Sequence, residues 1–179
     1  KIQRRTAATK ISIDISLDGA GNSNISTTIP LMDHMLTLFA RHCLTDLVIK
    51  SKVDKNTDDH HLIENIGICL GKAVKEAVGD KKMIARYGTA VIPMDESLCN
   101  VVIDLSGRPS LIYNVKFKRK KVGEFDCSLI KGFFDSFSHH SGMTLHINLL
   151  YGENNHHIAE AIFKAFAIAL RTAVTIQGV

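Results

Sequence analysis

A short cassette, His-His-x-x-Glu, occurs twice in this 179-residue chain, each time inside the same flanking pattern. Phe39, His42, Leu47 and Ile49 lie over Phe137, His140, Leu145 and Ile147 at a constant shift of 98 positions. After a two-residue gap, His60, His61, Glu64, Ala73 and Lys75 lie over His156, His157, Glu160, Ala169 and Arg171 at a shift of 96. Coincidence supplies one such match; it does not copy a whole cassette in register with its flanking strand and helix. Internal repetition decides which architectures are open to a chain. The expected organisation is therefore a single domain of two tandem repeats, approximately 1–85 and 86–179.

Hydropathy periods fill in each repeat. Ile11, Ile13, Ile15 and Leu17 alternate with polar residues, as in a half-buried strand. A Gly/Asn-rich turn over 18–24 leads to a strand over 24–28. Leu31, Met35, Leu38 and Phe39 have helical spacing, which predicts a helix over 31–42. A short strand over 47–49 follows, then a helix over 63–77 closing near Gly79. The second half is expected to hold strands over 87–92, 98–105 and 111–117, a helix over 129–140, a strand over 143–150 and a helix over 158–174. Gly107-Arg108-Pro109 reads as a turn. The fold class this gives is α+β, an internally duplicated unit with helices segregated to one face of antiparallel sheets.

Several function classes drop out. No apolar run approaches the roughly 20 residues of a membrane span, so no membrane partner is expected. The polar stretch from Lys1 to Lys10 lacks the apolar region of a secretory signal. Lys plus Arg number 22 against 18 Asp plus Glu, a mild net charge of +4. The one basic run, Lys116 and Lys118 to Lys121, reads as a solvated loop. It has no interleaved aromatics to stack on bases, so no nucleic-acid partner is expected. Cys43, Cys69, Cys99 and Cys127 form no CxxC pair and sit in apolar contexts. They read as buried reduced thiols of a cytoplasmic protein; an organellar location after removal of a leader is the other reading.

Histidine points to the chemistry. Nine are present, six of them in the adjacent pairs His60-His61, His139-His140 and His156-His157. On a helix, residues three and four apart share a face, so His60 and His61 both reach toward Glu64, and His156 and His157 toward Glu160. Neighbouring histidines diverge by about 100°, so one copy does not direct both rings at one ion. The economical arrangement is two ions, each taking one His of a pair from each half. His34, in Asp33-His34-Met35, and His146, on a predicted strand facing away from Leu145 and Ile147, are further candidates. Six histidines and two glutamates then supply four ligands per ion. Nitrogen and carboxylate donors without thiolate suit Mn, Fe, Co or Zn.

The wider pattern resembles the imidazoleglycerol-phosphate dehydratase family. The matching stretches are Asp33-His34-Met35-Leu36, Asp58-Asp59-His60-His61-x-x-Glu64, Met94-Asp95-Glu96-Ser97-Leu98, Asp104-Leu105-Ser106-Gly107-Arg108-Pro109, Ser141-Gly142-Met143-Thr144-Leu145-His146-Ile147, and Gly152-Glu153-Asn154-x-His156-His157-x-x-Glu160-Ala161-x-Phe163-Lys164-Ala165. The resemblance implies two four-stranded, mostly antiparallel sheets with a layer of helices packed between them. It implies a large homo-oligomer, a closed shell of twenty-four subunits with metal sites at interfaces. It implies two Mn ions per subunit held by His34, His60, His61, Glu64, His146, His156, His157 and Glu160, the eight residues spacing suggests. It implies a small phosphorylated imidazole substrate, imidazole glycerol phosphate, bound through His42, Arg86, Arg108 and Lys164. The reaction implied is loss of water in histidine biosynthesis, with metal bound at the imidazole ring and at the neighbouring hydroxyl. Glu160 is the expected proton-transferring carboxylate, and Glu64 and Asp95 are assigned catalytic roles beside it.

Four departures from the family pattern stand out. Arg4-Arg5-Thr6-Ala7-Ala8-Thr9 replaces Arg-x-Thr-x-Glu-Thr, so Ala8 stands where a catalytic glutamate is expected. Loss of an acid–base group costs on the order of 10²–10⁴ in rate. Asn65 replaces an aspartate, Lys52-Val53-Asp54-Lys55 interrupts a Gly-Asp pair, and the family's C-terminal Ser-Lys-Gly motif is missing. The alternative reading is a catalytically silent, metal-binding assembly protein on the same fold. A dinuclear phosphodiester hydrolase, suggested by Asp58-Asp59-His60-His61, lacks the further aspartates it needs.

Overall fold

The computed structural model describes residues 1–178. The first half runs β1 (Ile2–Arg5), β2 (Thr9–Ser16), β3 (Ser23–Ser26), α1 (Pro30–Cys43), β4 (Asp46–Val53) and α2 (Asp59–Val78). The second runs β5 (Tyr87–Met94), β6 (Ser97–Asp104), β7 (Ser110–Asn114), β8 (Lys121–Val122), β9 (Phe125–Asp126), α3 (Ser128–Ser141), β10 (Thr144–Tyr151) and α4 (Asn155–Ala173).

Each half builds a four-stranded sheet of the same design. The strand orders are β1-β2-β4-β3 and β5-β6-β10-β7. In each, two pairings are antiparallel, while β3 with β4 and β7 with β10 run parallel. Alternation does the sorting, because successive side chains of a strand face opposite sides of the sheet. Ile11, Ile13, Leu47 and Ile49 point inward from one sheet, and Val101, Ile103, Leu145 and Ile147 from the other, all essentially inaccessible.

The helices fill the space behind those faces. α2 lies on β1 and β2, and α4 on β5, β6 and β10. Within the layer the halves interlock, α1 against α4 and α2 against α3. The centre is aromatic. Phe134 meets Phe163 and Phe166 at ring-centroid distances of 5.0 and 5.1 Å, and Phe39 stacks on Phe166 at 5.4 Å. Such pairs add to the area they bury. The duplicated α+β architecture expected from the sequence is therefore the one observed.

The helix starts matter most for the site. α2 and α4 begin one turn earlier than their apolar periodicity suggests, at Asp59 and Asn155. The extra turns are polar and are held by caps. Asp58 accepts the His61 amide, and Asn154 accepts the amides of His156 and His157. Both His-His pairs consequently sit in the first turn of a helix.

Elsewhere the differences are local. β1 and the β8–β9 hairpin are not marked by periodicity, and β3 and β7 are shorter than their apolar runs. Lys116 and Lys118 to Lys120 are exposed outside any strand or helix, in keeping with a solvated loop. All four cysteines are buried and free, and burial pushes the Cys43 and Cys99 thiols up to about 12. Among the described residues, no helix is long and apolar enough to cross a membrane.

Candidate metal centre

The second-half cassette is the more completely assembled. Asn154 Oδ1 accepts the backbone N–H of His156 at 2.9 Å and of His157 at 3.2 Å, fixing the start of α4. One turn on, Glu160 is only 7% exposed. His156 Nε2 lies 3.3 Å from its Oε2, and His34 Nε2, arriving from the first turns of α1, lies 3.2 Å from its Oε1. The two rings approach with centroids 5.7 Å apart. His34, His156 and Glu160 each offer a ligand atom within 4.8 Å of the others. Lys164 Nζ stands 3.8 Å from Glu160 Oε1, one further turn along α4. Two imidazoles on one buried carboxylate form a donor set that fits a divalent transition metal.

His157 points elsewhere. Its Nδ1 is 2.8 Å from Glu96 Oε2, while Glu96 Oε1 accepts the Asn154 amide at 2.8 Å. Its Nε2 is 3.7 Å from Asp95 Oδ2. Asp95 and Glu96 form the turn between β5 and β6, Asp95 at φ 48, a left-handed conformation that Asp tolerates better than most residues. The hydrogen bond with His157, then that from Asn154, holds the Glu96 carboxyl down to about 2. The same contact raises His157 above the usual imidazole range.

The first-half cassette is open. Asp58 Oδ1 accepts both the backbone N–H and the Nδ1 of His61, each at 2.8 Å. The bond from the His61 backbone N–H, then that from its ring, is also what lowers the Asp58 carboxyl. Asp58, His60 and His61 form a second potential ligand group, all three exposed. Glu64 is exposed too, and with His60 it lines a cavity of about 290 Å³ bounded by Leu129, Gly132, Asp135 and Ser136. Among the described residues, neither group of ligand atoms draws on both cassettes.

A family model described as imidazoleglycerol-phosphate dehydratase matches residues 27–170. This chain belongs to the imidazoleglycerol-phosphate dehydratase family. The dehydratase of Syntrophus aciditrophicus is 60% identical over 178 residues, 99% of this chain and 90% of that protein. That of Trichlorobacter lovleyi is 54% identical, covering 97% of this chain and 89% of its own. Among solved structures, the Staphylococcus aureus dehydratase superposes with a TM-score of 0.86 at 43% identity, over 98% of both chains. The Pyrococcus furiosus dehydratase superposes with a TM-score of 0.87 at 36% identity, over 98% of this chain and 94% of that one.

Of the residues expected to serve the dehydratase site, His34, His156, His157, Glu160, Lys164 and Asp95 gather around the start of α4. His60, His61 and Glu64 gather at the start of α2. His146 stands apart, half-buried on the outer face of the second sheet between Val102 and Ile112. His42 closes α1, and its imidazole is driven below the usual range by burial and then by the charge of Lys164. Arg86, at φ 71, donates to Asp104 at 2.8 Å and lies over the Tyr87 ring at 5.0 Å. Arg108 is exposed, in the turn its Gly and Pro neighbours suggest. Both arginines sit at the end of the β5–β6 hairpin opposite Asp95 and Glu96. Eight residues of β5 at about 3.3 Å each separate the ends by roughly 25 Å.

Three functional contacts were not assigned from sequence: Asp58, Asn154 and Glu96. Asp58 and Asn154 carry a signal, since both are capping types just ahead of a His-His pair and stand 96 positions apart. Glu96 carries none, because its partner His157 is 61 residues away.

Proposed function

We infer that this chain is a hydro-lyase that dehydrates imidazole glycerol phosphate to imidazole acetol phosphate in histidine biosynthesis. The observation that carries the reading is the convergence of His34 and His156 on the buried carboxylate of Glu160, in a chain of this family. The reaction removes a hydroxyl next to the imidazole ring and a proton from the neighbouring carbon; the resulting enol becomes the ketone. A bound transition metal supplies Lewis-acid and template chemistry at such a centre. Glu160 is the carboxylate placed to take the proton, with Asp95 and Glu64 as the other catalytic carboxylates. Lys164, beside Glu160 and His42, presents positive charge at the rim for an anionic substrate group.

The finer reading has two Mn ions per subunit, with Fe, Co and Zn compatible with the same donors. The ligands are His34, His60, His61, Glu64, His146, His156, His157 and Glu160. His42, Arg86, Arg108 and Lys164 bind the phosphate. The subunit is one domain of two tandem repeats, about 1–85 and 86–179, in a cytoplasmic shell of twenty-four. Two features support an interface site. The first-half donors are exposed, and Arg86 and Arg108 stand far along the sheet from the His157 end, an arrangement in which a second copy supplies the missing side of each site.

Ala8 bears on the rate. It is exposed in the β1–β2 turn, and its carbonyl accepts from Asp54 N at 3.0 Å and Thr57 Oγ1 at 3.2 Å. The turn is therefore docked just ahead of α2, but a methyl group transfers no proton. Elemental analysis is expected to find about two transition-metal ions per subunit. A Mn-loaded assay with imidazole glycerol phosphate should give slow dehydration, and Ala8→Glu should raise its rate on the order of 10²–10⁴. Full metal content with background turnover in both proteins would instead favour a silent assembly protein.

A further inference from the structure

Just ahead of α1, one exposed residue holds a backbone conformation that its side chain disfavours. Thr28 has φ 78, an outlier for a β-branched residue. Such backbone persists only where its surroundings over-determine it, and it gathers at functional sites. The ties on both sides of Thr28 come through Thr27, which is fully buried. The Thr27 carbonyl accepts from Ser51 Oγ of β4 at 2.9 Å, and Thr27 Oγ1 accepts the Ile29 amide at 3.2 Å. Thr27 itself is held by Asp33, whose Oδ1 accepts both its backbone N–H, at 2.8 Å, and its hydroxyl. Asp33 thus reaches back from the first turn of α1 across a helix start whose N-cap, Ile29, makes no side-chain bond. The next residue is His34, with Nε2 3.2 Å from Glu160 Oε1. The second half lacks both parts. At the shift of 98, Thr27 falls on Phe125, Asp33 on Lys131 and His34 on Gly132. There the start of α3 is held locally, Asp126 Oδ1 accepting the Ser128 amide at 2.9 Å, and Asp126, the counterpart of Thr28, has no left-handed backbone.

We propose that Asp33 is a positioning residue of the metal centre: by holding Thr27 it keeps Thr28 left-handed, and that bend winds the first turn of α1 so that His34 reaches Glu160. The proposal rests on the metal-centre reading above. Met35, Leu36 and Phe39 are buried and fix the body of α1. His34 lies on the exposed side just ahead of them, so the direction of its ring follows the winding of the first turn. Released from Asp33, Thr28 is free to return to negative φ and unwind that turn. Glu160, buried on α4, does not follow. Asparagine can replace Asp33, because a single oxygen accepts both Thr27 donors and an amide oxygen has the two lone pairs this needs. Alanine cannot. The clamp and the histidine it serves occur in the same copy of the repeat and are absent together from the other.

The test uses the protein stripped and reloaded with Mn²⁺ alone, with affinity read by chelator competition. Asp33→Ala is expected to weaken Mn²⁺ binding about 10–100-fold, the usual loss when the support of a metal ligand is removed, and Asp33→Asn to stay near wild type. Thr28→Gly removes the strain and leaves the clamp, so it should raise the melting temperature without changing affinity. The loss has to pass through His34. In a His34→Ala background, Asp33→Ala should therefore weaken binding no further, and the Co²⁺ absorption spectrum of Asp33→Ala should match that of His34→Ala. Asp33→Ala with wild-type affinity, even at lowered thermal stability, would overturn the proposal and leave the metal reading intact. So would an equal loss with and without His34, the mark of a general structural role. Asp33→Asn as weak as Asp33→Ala would also overturn it, by making charge the cause. Should Asp33→Ala fail to fold, Thr27→Val removes the hydroxyl at nearly constant shape and should weaken Mn²⁺ binding in the same direction; wild-type affinity there would overturn the proposal. Wild-type protein that takes up no Mn²⁺ would overturn the metal reading, and the proposal with it.

Discussion

The two halves share a scaffold and differ in what surrounds the cassette. α1 and α3 occupy residues 30–43 and 128–141, and β4 and β10 occupy 46–53 and 144–151, all at the same shift of 98. β2 and β6, at 9–16 and 97–104, differ by only 88. The additional ten residues lie between β7 and α3, where the β8–β9 hairpin and the basic run are inserted. Asn155 pins this insertion to α4, accepting the amides of Lys118 and Arg119 and donating to the Arg119 carbonyl at 2.7 Å. His34 has Gly132 as its counterpart, and Lys164 has Ile68. The first cassette therefore faces a cavity where the second meets an imidazole and an ammonium. A repeated motif sets the direction of its side chains; the partners that bury and order them come from positions free to diverge.

If only the site has diverged, core truncations should be equally costly in both halves, and these are the largest effects expected. Phe134→Ala should cost about 3–5 kcal/mol and its counterpart Leu36→Ala about 2–5 kcal/mol, read by urea unfolding at fixed protein concentration. A cost under about 1 kcal/mol for either would show that the core is unequally shared.

The site carboxylates should separate the halves more sharply. In metal-free protein, Glu160→Ala deprives Lys164, His34 and His156 of their buried partner and should cost about 1–3 kcal/mol. Glu64→Ala, on the exposed copy, should stay within about 0.5 kcal/mol of wild type. Equal losses would break the contrast.

Smaller still is the change at Gly132. A Cβ there meets no atom within 4 Å, whereas at Gly67, on the facing helix, it would lie 2.7 Å from the Phe133 carbonyl. Gly132→Ala should stabilise by roughly 0.4–1 kcal/mol, and Gly67→Ala should lower the melting temperature.

The smallest effect concerns acid. Glu96, held down to about 2 by His157, contributes stability above the unfolded carboxyl value of about 4.3, and loses it as pH falls toward 2. His157, raised by the same contact, contributes below its unfolded value of about 6.5, and loses it as pH rises through the higher folded value. The difference in stability between metal-free wild type and Glu96→Gln should be greatest between about pH 5 and 6, and shrink on both sides. A difference independent of pH would remove the His157–Glu96 pair as its cause.

Much of this was legible in sequence because periodicity reports burial. Leu31 to Phe39 and Ile158 to Ala173 have one buried face or more, and their spacing reveals the helices. Strand β1 offers only Ile2 as an inward apolar residue, too short a pattern to register. The cassette's i, i+4 geometry foretold the 3.3 Å approach of His156 to Glu160. It foretold neither the arrival of His34 at Glu160 nor the hold of Glu96 on His157, since both depend on which distant segment folds over the helix start. Arg86 and Arg108 are separated from the His157 end by the length of a strand, and no local pattern carries that distance.

The interlocked helix layer has a consequence for synthesis. α1 finds its neighbour in α4, and α2 in α3, so neither of the first two helices has its partner until the second half of the chain is made. A nascent polypeptide halted after α2 would hold one covered sheet face and two apolar stripes turned to water. It must wait for α3 and α4 to be made, or be shielded by a chaperone, before its interior can close.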